Sequence, residues 1–90
     1  MSETFIISAV RTPVGIGKPT GALASMTPIN LSALVLQESL RRAKVKAPQV
    51  EDVIWGCVTQ IGDQGANLAR LSLLKAGFPV EVPGVTLNRS

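Results

Sequence analysis

Cys57 is the single cysteine of this 90-residue chain, and the chain contains no histidine. A thiol acts as a nucleophile when it is ionised, which a basic neighbour or a helix N-terminus promotes. Cys57 instead lies inside the apolar run 53–58, with no lysine or arginine adjacent in sequence. The pattern predicts a packed core thiol, no internal disulfide and no metal site. We assign no catalytic residue within the 90 residues.

A glycine-rich stretch follows the first apolar run and resembles two kinds of nucleotide-binding loop. Its glycines are Gly15, Gly17 and Gly21, with Lys18 and Pro19 between them. A pyrophosphate site needs a helix N-terminus at the last glycine, and no helix is predicted to begin there. Pro19 also stands where a phosphate loop has serine or threonine directly after its lysine. The stretch is therefore interpreted as a flexible surface loop.

A polar cluster lies between the second predicted strand and the second predicted helix. Its members are Gln60, Asp63, Gln64, Asn67 and Arg70. One interpretation is N-capping by Asp63 or Asn67 beside a solvated helix face. The other is an interface that buries the amides in a hydrogen-bond network. Both interpretations stay open at the level of the sequence.

The net charge is +3, and four of the nine cations lie close together in sequence, at Arg41, Arg42, Lys44 and Lys46. Nucleic-acid binding surfaces interleave such cations with aromatic residues that stack on bases. Aromatic residues make up only 3% of this chain, and tyrosine is absent. The cations are better explained as the basic end of a helix, where they oppose the negative pole of its dipole. No nucleic-acid partner is expected.

The elements that must position these residues alternate between strand and helix. Strands are predicted at 5–10, 53–58 and 85–87, and helices at 28–44 and 67–76. Thr27 followed by Pro28 is a typical helix start, and Gly77 a typical helix stop. The β-α-β-α-β order favours an α/β fold with right-handed crossovers and a mostly parallel sheet. Ligands of such sheets bind beyond the carboxyl ends of the strands, so segments 11–21, 59–65 and 88–90 compete for chemistry.

Composition argues against a membrane or secreted protein. The chain is 46% hydrophobic and 17% charged, and it contains no run near the roughly 20 apolar residues that span a bilayer. The first residues lack the basic start of a signal peptide. A cytoplasmic location without a membrane partner is the expectation.

Four runs, taken together, resemble the amino-terminal part of a thiolase. They are residues 9–15, 56–60, 67–70 and 82–89. The resemblance covers the whole chain and implies a partial thiolase amino-terminal domain, residues 1–90, of a layered α/β fold. In that family a Thr-x-Asn-Arg run, here residues 86–89, is followed one residue later by the nucleophilic cysteine. Ser90 would be the intervening residue, so the sequence is expected to stop just before the catalytic thiol.

What the resemblance implies is an acyl-CoA C-acyltransferase that cleaves or forms 3-ketoacyl-CoA through an acyl-cysteine intermediate. The residues implied to support the nucleophile loop are Asn88, Arg89 and Ser90, and those implied to support this loop and a dimer contact are Gln64, Asn67 and Arg70. Two departures blur the subfamily, since thiolases often have asparagine where Cys57 stands and proline where Leu68 stands.

The resemblance also implies the partners. They are acyl-CoA and coenzyme A, without a further cofactor, together with the remaining thiolase polypeptide in a homodimer or homotetramer. The 90 residues alone are expected to be inactive and poorly soluble, with an apolar sheet face left open. The alternative is a non-catalytic thiolase-like lipid-binding or scaffold protein, which the residue after Ser90 distinguishes.

Overall fold

Two helices and two strands alternate along the chain in the computed structural model, which describes residues 3–89. They are α1 (Pro28–Ala43), β1 (Val53–Gly56), α2 (Leu68–Lys75) and β2 (Gly84–Leu87), with 3-10 turns at Ala47–Gln49 and Gly62–Gln64. The positions predicted for these four elements are confirmed, although β1 ends earlier than expected. Within the described residues, no helix combines the length and apolarity needed to cross a membrane.

Local signals in the sequence set both ends of α1. The Thr27 hydroxyl accepts a hydrogen bond from the backbone N–H of Asn30 at 3.2 Å, and Pro28 occupies the first turn, where its missing N–H costs nothing. At the other end Lys44 adopts a left-handed conformation with φ of 57° and donates to the carbonyl of Arg41. The helix therefore begins and ends with satisfied backbone groups.

The sheet is a parallel pair, as predicted. Val53 lies opposite Gly84 and Trp55 opposite Thr86. Backbone hydrogen bonds extend the pairing beyond both ends, from Val53 N–H to the Pro83 carbonyl at 3.0 Å and from Cys57 N–H to the Leu87 carbonyl at 2.9 Å. The connection from β1 to β2 runs through α2, which is the usual crossover between parallel strands.

The core lies between α2 and one face of the sheet, and α1 packs against α2. Its buried members are Val53, Ala69, Leu73, Phe78 and Val82. The opposite sheet face is open to solvent, with Ile54 62%, Val85 41% and Leu87 52% exposed. An apolar open face was expected from the sequence, and the structure confirms it.

The first predicted strand, residues 5–10, is not a strand in the structure, although the α/β class and parallel sheet are confirmed. Phe5, Ile6 and Ile7 are 72%, 91% and 68% exposed. Within the described part of the chain, every hydrogen bond made by residues 3–26 joins residues of that same segment. A strand needs a ladder partner, and β1 and β2 here pair with each other. The apolar run 5–10 indicates a segment suited to a sheet, but a strand forms only where an adjacent strand is available to pair with it.

Candidate functional site

The carboxyl ends of β1 and β2 meet at one edge of the sheet. Asn88 follows β2, and its side-chain amide donates to the carbonyl of Val58, just beyond β1, at 3.0 Å. This bond joins the two strand ends and fixes the point at which the chain leaves β2. Arg89 is exposed next to it. Ser90, the third residue predicted to support a nucleophile loop, lies outside the described residues.

Cys57 is buried beneath this edge, as predicted for a packed thiol, with 7% of its surface exposed. Its Sγ lies 3.6 Å from the Thr59 carbonyl and 3.8 Å from Oε1 of Gln64. Both neighbours are acceptors, so the sulfur acts as a weak donor. Gln64, predicted to support the loop, therefore contacts the end of β1 through this thiol.

Asn67 links the start of α2 to β2. It is the N-cap of the helix, and its Oδ1 accepts from the backbone N–H of Arg70 at 3.1 Å. Its Nδ2 donates to the carbonyl of Gly84, the first residue of β2, at 2.9 Å. Capping by Asn67 is confirmed, and Asp63 instead lies exposed in the turn before it. Because both ends of the Asn67 amide are used, its role is to hold helix and strand together.

Arg70 fixes the segment that leads into β2. Its guanidinium donates from Nη1 to the carbonyl of Val82 at 2.7 Å and from Nη2 to that of Val80 at 3.1 Å. A guanidinium matches two carbonyls well because its donors point in parallel from one plane. The hydrogen-bonding capacity of Arg70 is thus directed at its own chain rather than at an anionic ligand.

Thr86 is the first residue of the Thr-x-Asn-Arg run, and it is a member of this network to which the sequence reasoning assigned no role. Its hydroxyl accepts from the backbone N–H of Ala69 at 3.0 Å and donates to Oδ1 of Asn67 at 2.8 Å. The sequence did contain an indication of this role. Thr86 is a polar residue at a half-buried position of a strand with alternating burial, two residues before Asn88, and such a residue needs a hydrogen-bond partner.

The structure brings together two of the three segments expected to compete for chemistry. Segments 59–65 and 88–89 share the sheet edge just described. The loop 11–21 does not join them; its Arg11 and Pro13 line a cavity of about 260 Å³ against α1, together with Leu34 and Arg42. Among residues 3–89, no group of three or more acidic, cysteine or histidine side chains could hold a metal ion.

The hydrogen bonds around β2 form a structural support for the end of this strand. Side-chain amides, a guanidinium and a hydroxyl satisfy backbone groups around β2 and hold its carboxyl end in one place. The described residues at the edge contribute positioned donors and acceptors, while the one thiol among them is packed.

Comparison with known proteins gives a consistent result. The family model described as "Thiolase, N-terminal domain" matches residues 4–90. A steroid 3-ketoacyl-CoA thiolase of Mycobacterium tuberculosis is 52% identical over 99% of this chain, which spans 21% of that protein. A 3-ketoacyl-CoA thiolase of Bacillus subtilis is 43% identical over 99% of the chain and 22% of its own length.

A solved structure agrees with the sequence relatives. The crystal structure of the Bacillus anthracis acetyl-CoA acetyltransferase superposes with a TM-score of 0.70 at 45% identity, over 77% of this chain and 17% of that one. The chain thus spans about a fifth of the length of the curated relatives described above.

Proposed function

The chain belongs to the thiolase family, and from that premise we propose that it is the amino-terminal segment of a 3-ketoacyl-CoA thiolase. The activity is that of an acyl-CoA C-acyltransferase. A cysteine thiolate attacks the keto carbon of a 3-ketoacyl-CoA, the bond between its α and β carbons breaks, and the α carbon takes up a proton and leaves as the shorter acyl-CoA. Coenzyme A then removes the acyl group from the cysteine as a new thioester, and the cysteine is regenerated. The reverse direction condenses two acyl-CoA molecules.

One observation carries this proposal: the end of β2 is held to the end of β1 by the Asn88 side chain, 3.0 Å from the Val58 carbonyl. Thiolase chemistry needs a cysteine whose thiolate is stabilised by nearby amides or a helix dipole. Such stabilisation acts over short distances, so the cysteine must be placed accurately. A strand end fixed at Asn88 is a suitable base for a nucleophile loop that begins with Asn88 and Arg89.

The open face of the sheet supports the rest of the proposal. Ile54, Val85 and Leu87 are about half exposed, and an apolar sheet face is stabilised when another layer covers it. We propose that the remaining part of the thiolase polypeptide forms this layer. The substrates are acyl-CoA and coenzyme A without a further cofactor, the assembly is a homodimer or homotetramer, and the location is cytoplasmic. Gln64, Asn67 and Arg70 support the dimer contact indirectly, by holding the segment from β1 to β2.

The test begins with the coding sequence and the full-length protein. We expect cysteine directly after Ser90, and thiolytic cleavage of a 3-ketoacyl-CoA that depends on added coenzyme A. Replacing that cysteine with serine should abolish turnover while leaving the thermal unfolding temperature nearly unchanged. The 90-residue segment alone should show no activity.

The opposite result would identify the alternative. If another residue follows Ser90, and the full-length protein binds acyl-CoA or lipid without cleaving 3-ketoacyl-CoA, the protein is a non-catalytic thiolase-like binder. A full-length protein that has the cysteine but neither binds coenzyme A nor turns over also contradicts the proposal.

A further inference from the structure

Thr86 is placed between the start of α2 and the segment that follows β2. Building on the proposed function, we propose that Thr86 is a positioning residue that sets the location of the nucleophile loop. It does so through hydrogen bonds to α2 and through the short strand end that connects it to Asn88. This role goes beyond the loop-support residues inferred from the family resemblance.

The Thr86 hydroxyl is an acceptor for one partner and a donor to the other. It accepts from the Ala69 N–H at 3.0 Å and donates to Asn67 Oδ1 at 2.8 Å. The first amides of a helix have no partner within the helix, and Thr86 supplies one from the strand. A hydroxyl can accept and donate at once, whereas the isosteric side chain of valine can do neither. The substitution Thr86→Ser would therefore keep both bonds, and Thr86→Val would break both.

Three further bonds make the placement specific. Asn67 holds the carbonyl of Gly84 at 2.9 Å, two residues before Thr86. On the other side of β2, Leu87 accepts from Cys57 N–H at 2.9 Å and Asn88 donates to Val58. The strand is thus fixed to α2 through one set of groups and to β1 through another. Loss of the Thr86 hydrogen bonds would remove the contact between β2 and α2 that lies nearest the loop. The hydrogen bonds between β2 and β1 would remain.

The expected effect on catalysis depends on how accurately the nucleophile is placed. Misplacement of a catalytic group by about 1 Å can reduce turnover by up to ~100-fold. After Thr86→Val the Ala69 N–H would lose its acceptor, and Asn67 Oδ1 would keep its bond from the Arg70 N–H but lose the one from Thr86. The strand end would no longer be held to the start of α2 at this point and would shift. We expect a loss in kcat with little change in KM, because the proposed role concerns placement of the nucleophile rather than binding of coenzyme A.

The experiment uses the full-length protein and four variants measured in parallel. Thr86→Val should lower kcat about tenfold or more, because a displacement of the nucleophile smaller than 1 Å should cost less than the ~100-fold expected for a full 1 Å. Thr86→Ser should retain most of the activity, since it keeps the hydroxyl. Thr4→Val makes the same chemical change in an exposed residue and should match the wild type. Asn67→Asp keeps the cap oxygen but loses the bond to Gly84, and should lower kcat by a smaller factor.

A second measurement separates positioning from general loss of stability. The rate of alkylation of the cysteine after Ser90 by iodoacetamide, measured against pH, reports the thiolate directly. In Thr86→Val the profile should move to higher pH, towards the ordinary thiol pKa of about 8.5. A purely structural role would lower the unfolding temperature and leave the pH profile of the folded protein in place. If Thr86→Val does not fold, the same comparison is made between Thr86→Ala, which also removes both hydrogen bonds, and the wild type.

The outcomes distinguish this inference from the proposed function. An unchanged kcat and alkylation profile in folded Thr86→Val, or in Thr86→Ala where valine prevents folding, overturns the positioning role even if the wild type is an active thiolase. A wild type that lacks thiolysis overturns the proposed function, while the alkylation profile still decides the role of Thr86. Absence of a cysteine after Ser90 overturns both.

Discussion

Segment 3–26 and segment 27–89 contain similar apolar residues, yet these residues differ in how far they are buried. In the first segment Phe5, Ile6 and Ile7 are largely exposed, the least of them at 68%. In the second, Leu73 is completely buried and Val82 is 3% exposed. Both segments contain an apolar run that predicts a buried strand. Only the second has a helix to cover its strand and a parallel neighbour to complete its hydrogen bonds.

The burial of an apolar side chain therefore depends on its packing partners as much as on its hydrophobicity. Transfer of apolar surface from water is favourable by about 25 cal/mol per Å² only where another apolar surface receives it. The crossover from β1 through α2 to β2 brings such surfaces together within a short stretch of chain after Val53. Segment 3–26 has its own turns, and its hydrogen bonds remain local.

The largest expected effect is in the core of the second segment. Leu73→Ala should lower the free energy of unfolding by about 2–5 kcal/mol, since a fully buried leucine leaves a cavity. Leu74→Ala is the matched control on the same helix; Leu74 is 42% exposed, and the loss should be about 1 kcal/mol or less. Ile6→Ala should have almost no effect in the same 90-residue chain. Urea unfolding followed by Trp55 fluorescence measures all three, at a protein concentration low enough to prevent association through the open sheet face. An equal loss at Ile6 and Leu73 would contradict the contrast between the segments.

The next effect tests the close approach of β2 to α2. A Cβ added to Gly84 would lie 2.8 Å from Cδ2 of Leu73 and 3.1 Å from the backbone nitrogen of Arg70. Gly84→Ala should therefore lower the free energy of unfolding by about 1–3 kcal/mol, as expected for overpacking. Gly56→Ala, in the neighbouring strand, has nothing within 4 Å of the new atom and should be neutral or slightly stabilising. The same urea titration applies, and a larger loss at Gly56 than at Gly84 would be the contrary result.

A smaller effect of opposite sign is expected at Ser72. Its side chain is completely buried, and its Oγ has no hydrogen-bond partner among residues 3–89. Burying an unpaired hydroxyl is unfavourable, so Ser72→Ala should raise the free energy of unfolding by about 0.5–1 kcal/mol. Ser25→Ala, in the exposed first segment, is the control and should change nothing measurable. A destabilised Ser72→Ala protein would show that the hydroxyl has a partner in solution.

The smallest effect concerns the solvated outer face of α1. Hydrogen bonds from Arg41 and Arg42 lower the pKa of Glu38 from 4.5 to about 2. Because the folded-state pKa is lower than the unfolded one, the contribution of this pair is present above pH 4.5 and is lost as the pH falls towards 2. Carboxyl chemical shifts from an NMR titration should show the low pKa, and concentrated salt should raise it by screening the exposed pair. An unshifted Glu38 would mean that the two arginines remain solvated.

The local features of the fold could be predicted where a short run of residues determines them. Thr27 caps α1 as expected, and Asn67, one of the two residues considered for α2, caps that helix. The buried Cys57 also followed from its apolar neighbours. The site was predicted less completely. Asn67 and Arg70 were noted in a polar cluster, and the family resemblance assigned a supporting role to them and to Asn88. Their bonds to Gly84, Val82 and Val58 could not be predicted, because these bonds join residues far apart in sequence.

Local sequence patterns predict the two helices and two strands of segment 27–89, the parallel α/β class and membership of the thiolase family, because periodicity, caps and family motifs depend on residues close together in sequence. The folded chain alone shows that residues 5–10 do not join a sheet and that Thr86 connects β2 to the start of α2. Strand pairing and the hydrogen bonds of a hydroxyl depend on which groups come together in space, and residues close together in sequence do not specify this. A polar residue in an apolar strand indicates that a partner is needed, and the packed helix identifies the partner.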